Sequence, residues 1–198
     1  SIVIEEVSKD YGSKKGIHDI STTFTSGQLN VIIGENGSGK STLFKCIMGL
    51  INYSGRIKRR RVRIGYAPEE YILPLNMTVV DFLWSIGRIK GTMRDDLDQN
   101  MRYYLDFFGL KGYENHLIGK LSHGMRQKVN LIQAFVHDPR ILILDEPTTA
   151  LDKEMTSKII KLIKERSREN LVIISTHHPQ SFTTRNRRVL CIKEGRLI

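Results

Sequence analysis

The stretch "NVIIGENGSGKST" (30–42) constrains this chain more than any other. An apolar run, a glycine-rich loop and a Lys-Ser-Thr helix start follow one another, and Gly34 to Ser41 fits G-x-x-x-x-G-K-[ST]. A buried strand that turns at once into a helix asks for a parallel sheet with helices on its faces. The glycines let the backbone approach an anion closely, and successive N–H groups at the helix start aim at it. Asn36, Gly37, Ser38, Gly39, Lys40, Ser41 and Thr42 are therefore the expected contacts to a nucleoside triphosphate. Lys40 is expected to reach the β- and γ-phosphates, and the Ser41 hydroxyl to ligate Mg²⁺.

A second apolar run, in "RILILDEPTTALD" (140–152), ends in two acids. Acids at the carboxyl end of a buried parallel strand face the ligand crevice. Asp145 suits Mg²⁺, held through water, and Glu146 suits a general base for the attacking water. "VIISTHHP" (172–179) is a further buried strand ending in a small polar cluster. His177 is expected to sense the γ-phosphate and the attacking water, and His178 to face solvent. A triphosphate loop beside such acids implies hydrolysis rather than binding alone.

"LSHGMRQK" (121–128) offers another helix start suited to phosphate. Ser122 brings a hydroxyl and Gly124 an open backbone at a helix N-terminus, where the dipole favours negative charge. Ser122 is also a good N-cap for a helix over 124–137, and one serine can serve both ends.

The pattern elsewhere predicts strands near 2–7, 17–25, 29–33, 61–66, 141–145, 171–175 and 188–193, and helices near 40–50, 78–90, 95–108, 124–137 and 153–169. Strands and helices alternate at both ends, so the expectation is an α/β fold with a mostly parallel sheet. The early strands suggest a small N-terminal antiparallel β subdomain beside it. The expected organisation is a single domain over 1–198, with 1–69 and 121–198 as catalytic core and about 70–120 as an inserted helical subdomain. The opening "SIVIEEVSKDY" has no basic start and apolar core, so it does not read as a signal peptide, and an intracellular setting is expected. Cys46 and Cys191, far apart in apolar segments, are expected as reduced thiols.

The net charge of +10 is unevenly spread. Residues 153–198 hold eleven Lys or Arg against four Asp or Glu, and "RIKRRRVR" (56–63) packs six charges into eight residues. A solvated basic face and a patch for nucleic acid, acidic headgroups or an acidic partner are both open readings. No aromatics interleave with the arginines, as single-strand binders require.

Together these residues resemble the nucleotide-binding domain of ATP-binding cassette (ABC) ATPases, from about residue 2 to the end. The family's ordered motifs match Tyr11 as adenine platform, the phosphate loop 34–42, Glu69 at the glutamine-loop position, "LSHGM" as signature, "ILILDEP", "TALD" and His177 as switch histidine. The resemblance implies two domains packed head to tail, with Ser122 and Gly124 capping the γ-phosphate on the partner's loop and Asp152 at the dimer seam. Asp152 is an equally good N-cap for the following helix. The resemblance also implies ATP with Mg²⁺, a second ATPase subunit in a homo- or heterodimer, and an integral membrane subunit docked against the helical part.

The chain departs from the pattern in places. His123 and Met125 replace a glycine and a glutamine of the usual LSGGQ signature, and Met cannot make the glutamine's hydrogen bonds. In "GYAPEEY" (65–71) the glutamine position falls on Glu69, with Glu70 as the other register; a carboxylate there adds an anionic metal ligand. Glu69 joins Ser41 and Asp145 in the expected metal set and Glu146 and His177 in the expected catalytic set. The interval from Lys40 to Glu69 suggests a trimmed hairpin. The expected function is the ATP-hydrolysing subunit of an ABC transporter, peripheral on the cytoplasmic face of the cell membrane, with export favoured over import. The alternative is an ABC-type ATPase acting on DNA or the ribosome; nucleic acid is not the expected partner.

Overall fold

In the computed structural model, which describes residues 1–13 and 15–198, the chain begins with β1 (Ile2–Asp10), β2 (Gly16–Phe24), β3 (Leu29–Ile33) and α1 (Lys40–Met48). It continues with β4 (Ser54–Arg59), β5 (Ile64–Ala67), α2 (Val79–Ile89), α3 (Arg94–Phe107) and α4 (His123–Phe135). The last elements are β6 (Ile141–Asp145), α5 (Lys153–Arg166), β7 (Leu171–Ser175), β8 (Arg187–Lys193) and β9 (Arg196–Leu197).

A six-stranded sheet runs β5-β6-β7-β3-β8-β9, parallel except for its last strand. Alternate residues serve opposite faces, as the pleat requires. Leu142, Leu144, Val172 and Ile174 enter one core with α2 to α5, while Ile141, Ile143, Leu171 and Ile173 enter the other with α1 and the smaller sheet. Burial on both faces is why these strands read as unbroken aliphatic runs. The smaller sheet is antiparallel, in the order β2-β1-β4. The α/β class, the mostly parallel sheet and the antiparallel β subdomain expected from the pattern are all present.

Local chemistry marks the helix starts. Thr78, Ser122 and Asp152 accept the N–H of Asp81, Met125 and Met155 and so cap α2, α4 and α5. α2 and α3 cross at Gly87, where an added Cβ would lie 2.3 Å from Leu97 Cδ1. Likewise α4 presses on β5 at Gly65, where a Cβ would sit 1.9 Å from the Ala134 carbonyl oxygen.

Three expectations need correction. Residues 54–59 form a strand that the pattern did not predict, because only Ile57 of that basic segment turns inward and no alternation is visible. The strand expected over 61–66 starts at Ile64, and α5 stops at Arg166 rather than running to 169. Both cysteines are free. Among the described residues no helix is long and apolar enough to cross a membrane.

Candidate nucleotide and metal site

β3 lies between β7 and β8. The chain leaves it towards β5 on the β7 side, while the connection from β7 passes it to reach β8 on the other, and a crevice opens at the carboxyl ends of the strands. The loop from β3 into α1 fills that crevice. α1 starts at Gly39 without a side-chain cap and with no acid in its first turn, so its leading N–H groups are free for an outside anion. Gly39 has φ 112°, and a Cβ there would meet Ile17 at 2.6 Å, so only glycine fits. Lys40 is buried, and its ammonium donates to the carbonyls of Gly34 at 2.8 Å and Glu35 at 3.0 Å.

A cleft of about 570 Å³ opens in front of this loop. Asn36, Gly37, Gly39, Lys40, Ser41 and Thr42 line one wall, and Tyr11, Glu69 and Asp145 complete it. Tyr11 is 54% exposed, with Lys9 Nζ 5.3 Å from its ring centroid. Ser38 does not line the cleft; its buried hydroxyl has no partner. Glu70 lines the cleft too, but of the two carboxylates only Glu69 is felt by Glu146.

Ser41 Oγ donates to Asp145 Oδ2 at 2.6 Å. Ser175 Oγ donates to the other carboxylate oxygen, Oδ1, at 2.5 Å, and accepts the N–H of Glu146 at 2.9 Å. The phosphate loop, β6 and β7 are thereby tied through one carboxylate. The sequence reading passed over Ser175, although a lone serine closing a fully aliphatic strand was its signal.

Glu146 is buried, with a left-handed backbone at φ 50°. Its Oε1 lies 3.2 Å from His177 Nε2, although without hydrogen-bond alignment. Burial raises the Glu146 pKa above its ordinary value; His177 pulls it down and Glu69 pushes it up. A buried carboxyl so raised is a better proton acceptor than an exposed one. His178 is exposed, as is His177.

Ser122, Gly124 and Asp152 stand apart from this cleft. Ser122 is exposed at the start of α4 and caps it, and a Cβ on Gly124 would lie 3.0 Å from the Ala150 carbonyl. The signature and the "TALD" turn thus lean on one another. The body of α4 grips the other side: Asn130 Nδ2 donates to the Pro68 carbonyl at 3.0 Å and Gln133 Nε2 to the Tyr66 carbonyl at 2.6 Å.

The Ser41 hydroxyl and Asp145 carboxylate are hard oxygen donors, which fit Mg²⁺. No three His, Cys, Asp or Glu side chains among the described residues could hold a metal by themselves.

The family model for ABC transporter matches residues 17–149. An uncharacterised ABC transporter ATP-binding protein of Methanocaldococcus jannaschii is 33% identical over 199 residues, covering 100% of this chain and 76% of the relative. Nod factor export ATP-binding protein I of Sinorhizobium fredii is 33% identical over 215 residues, covering 100% of this chain and 62% of the relative. The chain thus spans between about three fifths and three quarters of these relatives' length. Among solved structures, an ATP-binding subunit of an ABC transporter has TM-score 0.91 at 24% identity, covering 99% of this chain and 87% of the other. A dimeric bacterial ABC transporter cassette has TM-score 0.86 at 24% identity, covering 100% and 96%. At that identity the structural likeness speaks for the fold.

Proposed function

We infer that this chain, which belongs to the ABC transporter family as its ATP-hydrolysing cassette, powers transport through a separate membrane subunit. The observation that carries the reading is the hydrogen-bonded run from Ser41 through Asp145 and Ser175 to the Glu146 N–H. It fixes a proposed metal acid and a proposed base against the phosphate loop.

In this reading Tyr11 stacks on adenine, and the backbone of Asn36 to Lys40, with Ser41 and Thr42, holds the phosphates. Lys40 exchanges the Gly34 and Glu35 carbonyls for β- and γ-phosphate oxygens. Ser41 and Asp145 hold Mg²⁺, with Glu69 beside them. When bound, the ion neutralises charge on the phosphate oxygens. Glu146 takes a proton from the attacking water, and His177, 3.2 Å from it, orients that water and the γ-phosphate.

Ser122 and Gly124 lie outside the cleft of their own chain, which supports a site completed by a second cassette packed head to tail. Asp152 then lies at the seam. The membrane subunit docks on the helical part, about residues 70–120. Supporting this, Ile72 is fully exposed at 101%, and Leu75 and Leu117 are also exposed where the 75–78 and 117–119 segments meet at the bridge of Thr78 to Leu117. Such a subunit puts the cassette on the cytoplasmic face of the membrane. The Nod factor export relatives favour export. Action on DNA or the ribosome gains no support from these relatives' names.

The test is a crosslinking pull-down of tagged Glu146→Gln with ATP from host membranes. Recovery of a dimer with a multi-span membrane protein is expected. Recovery of ribosomal proteins or nucleic acid alone would overturn the transporter reading.

A further inference from the structure

The turn between α2 and α3, "RIKGTMR" (88–94), leaves two large apolar side chains in solvent: Ile89 is 79% exposed and Met93 73%. Arg88, Lys90 and Arg94 flank them. The connection from β4 to β5 folds against this turn. Arg63 Nη1 donates to Thr92 Oγ1 at 3.2 Å. Arg59 lies close enough to Lys90 to add to the burial that lowers its pKa. Val62, also exposed, stands among Arg59, Arg60, Arg61 and Arg63.

Across 59–63 and 88–96, seven Lys or Arg stand against two carboxylates, Asp95 and Asp96. Among the described residues no ion pair reaches any of the seven. Arg94 instead lies over the Trp84 ring, 6.0 Å from its centroid. The field extends inward as well: His137, buried behind the turn, is pushed down to about 4 by burial first and then by Lys90 and Arg63.

Like charges held this close repel, and the fold supplies few counter-charges. A single nucleic-acid strand would call for stacking aromatics among the cations. An acidic protein face would answer the cations but would also need apolar pockets set opposite both Ile89 and Met93. An anionic bilayer meets both needs, with charged headgroups for the cations and an acyl boundary for the apolar tips. We propose that the α2–α3 turn and residues 59–63 form a contact surface for an anionic phospholipid membrane, with Ile89 and Met93 as the inserted side chains. The surface lies away from the nucleotide cleft and takes only the α2–α3 end of the helical part, leaving the exposed Ile72, Leu75 and Leu117 for the membrane subunit.

Flotation of the full chain with vesicles of phosphatidylcholine, alone or mixed with phosphatidylserine, tests this. Binding is expected to the mixed vesicles only, weakening as salt rises. Replacing Arg59, Arg60 and Arg61 together by Ser should lower partition about a hundredfold, at about fivefold per cation. The double change Ile89→Ser and Met93→Ser leaves charge untouched and should lower it at least about tenfold. Both variants should keep ATP binding, which confirms their fold, and Lys40→Ala should float like the parent. Equal binding to both vesicle types, no binding to either, or full binding by the Ile89/Met93 variant would overturn the proposal; the last would mark a charge-only surface open to any polyanion.

Discussion

Ser175 donates its hydroxyl to Asp145 at 2.5 Å while accepting the N–H of Glu146 at 2.9 Å, so one small side chain fixes two adjacent acids. Ser175→Ala leaves a buried carboxylate oxygen and a buried N–H without this partner. The expected cost is about 1–3 kcal/mol of stability and at least a tenfold loss of ATPase rate, ~1.4 kcal/mol in barrier. Urea unfolding and steady-state ATPase measure the two, and parent values in both would show the bond idle.

Glu146→Gln keeps the shape and removes the proton acceptor. ATP hydrolysis should fall by about 10²–10⁴ with ATP binding retained, and an ATP-bound dimer should accumulate on size exclusion. A variant that hydrolyses at the parent rate removes Glu146 as base.

The acid limb of the pH–rate profile follows from the same carboxyl. A base must be deprotonated, and burial raises the Glu146 pKa above 4.5, so activity should fade on acidification sooner than an ordinary glutamate would dictate. Glu69 adds to that rise by like-charge repulsion. Glu69→Gln should therefore move the acid limb to lower pH while keeping the neutral-pH rate within about tenfold. A limb that stays put would mean Glu69 does not reach Glu146 in the working site.

His137 sets a stability limit. Folded, it resists protonation down to about 4, while an ordinary histidine protonates near 6.5. The unfolded chain thus binds more protons between those values, and stability falls as pH drops from 6.5 towards 4, by up to about 3 kcal/mol. His137→Leu should remove that part of the pH dependence; denaturant unfolding of both chains at neutral and acidic pH gives the difference. Equal slopes would show that His137 charges freely.

The phosphate loop and the aliphatic strands were legible because their chemistry is local: glycines, a lysine and unbroken apolar runs speak within ten residues. β4 was hidden because its partner is β1, some fifty residues earlier, and its exposed basic side chains show no alternation. Ser175 was hidden for a related reason, since its partner Asp145 lies 30 residues away and only the parallel register of β6 and β7 joins them. Conversely, Ser122 and Asp152 were each readable as a cap or as an interface residue; the caps are now visible, and an interface role needs the second chain.

The grip of α4 on β5 makes the helix a lever with a short and a long arm. Its fulcrum is near Asn130 and Gln133, bonded to the backbone just before Glu69, and its far end is Ser122. At 1.5 Å per residue that arm is about 12 Å, so a tilt of roughly 10° carries the serine about 2 Å. A tilt of α4 about that grip therefore moves the serine much further than it moves residues 66–69, far enough to make or break a hydrogen bond.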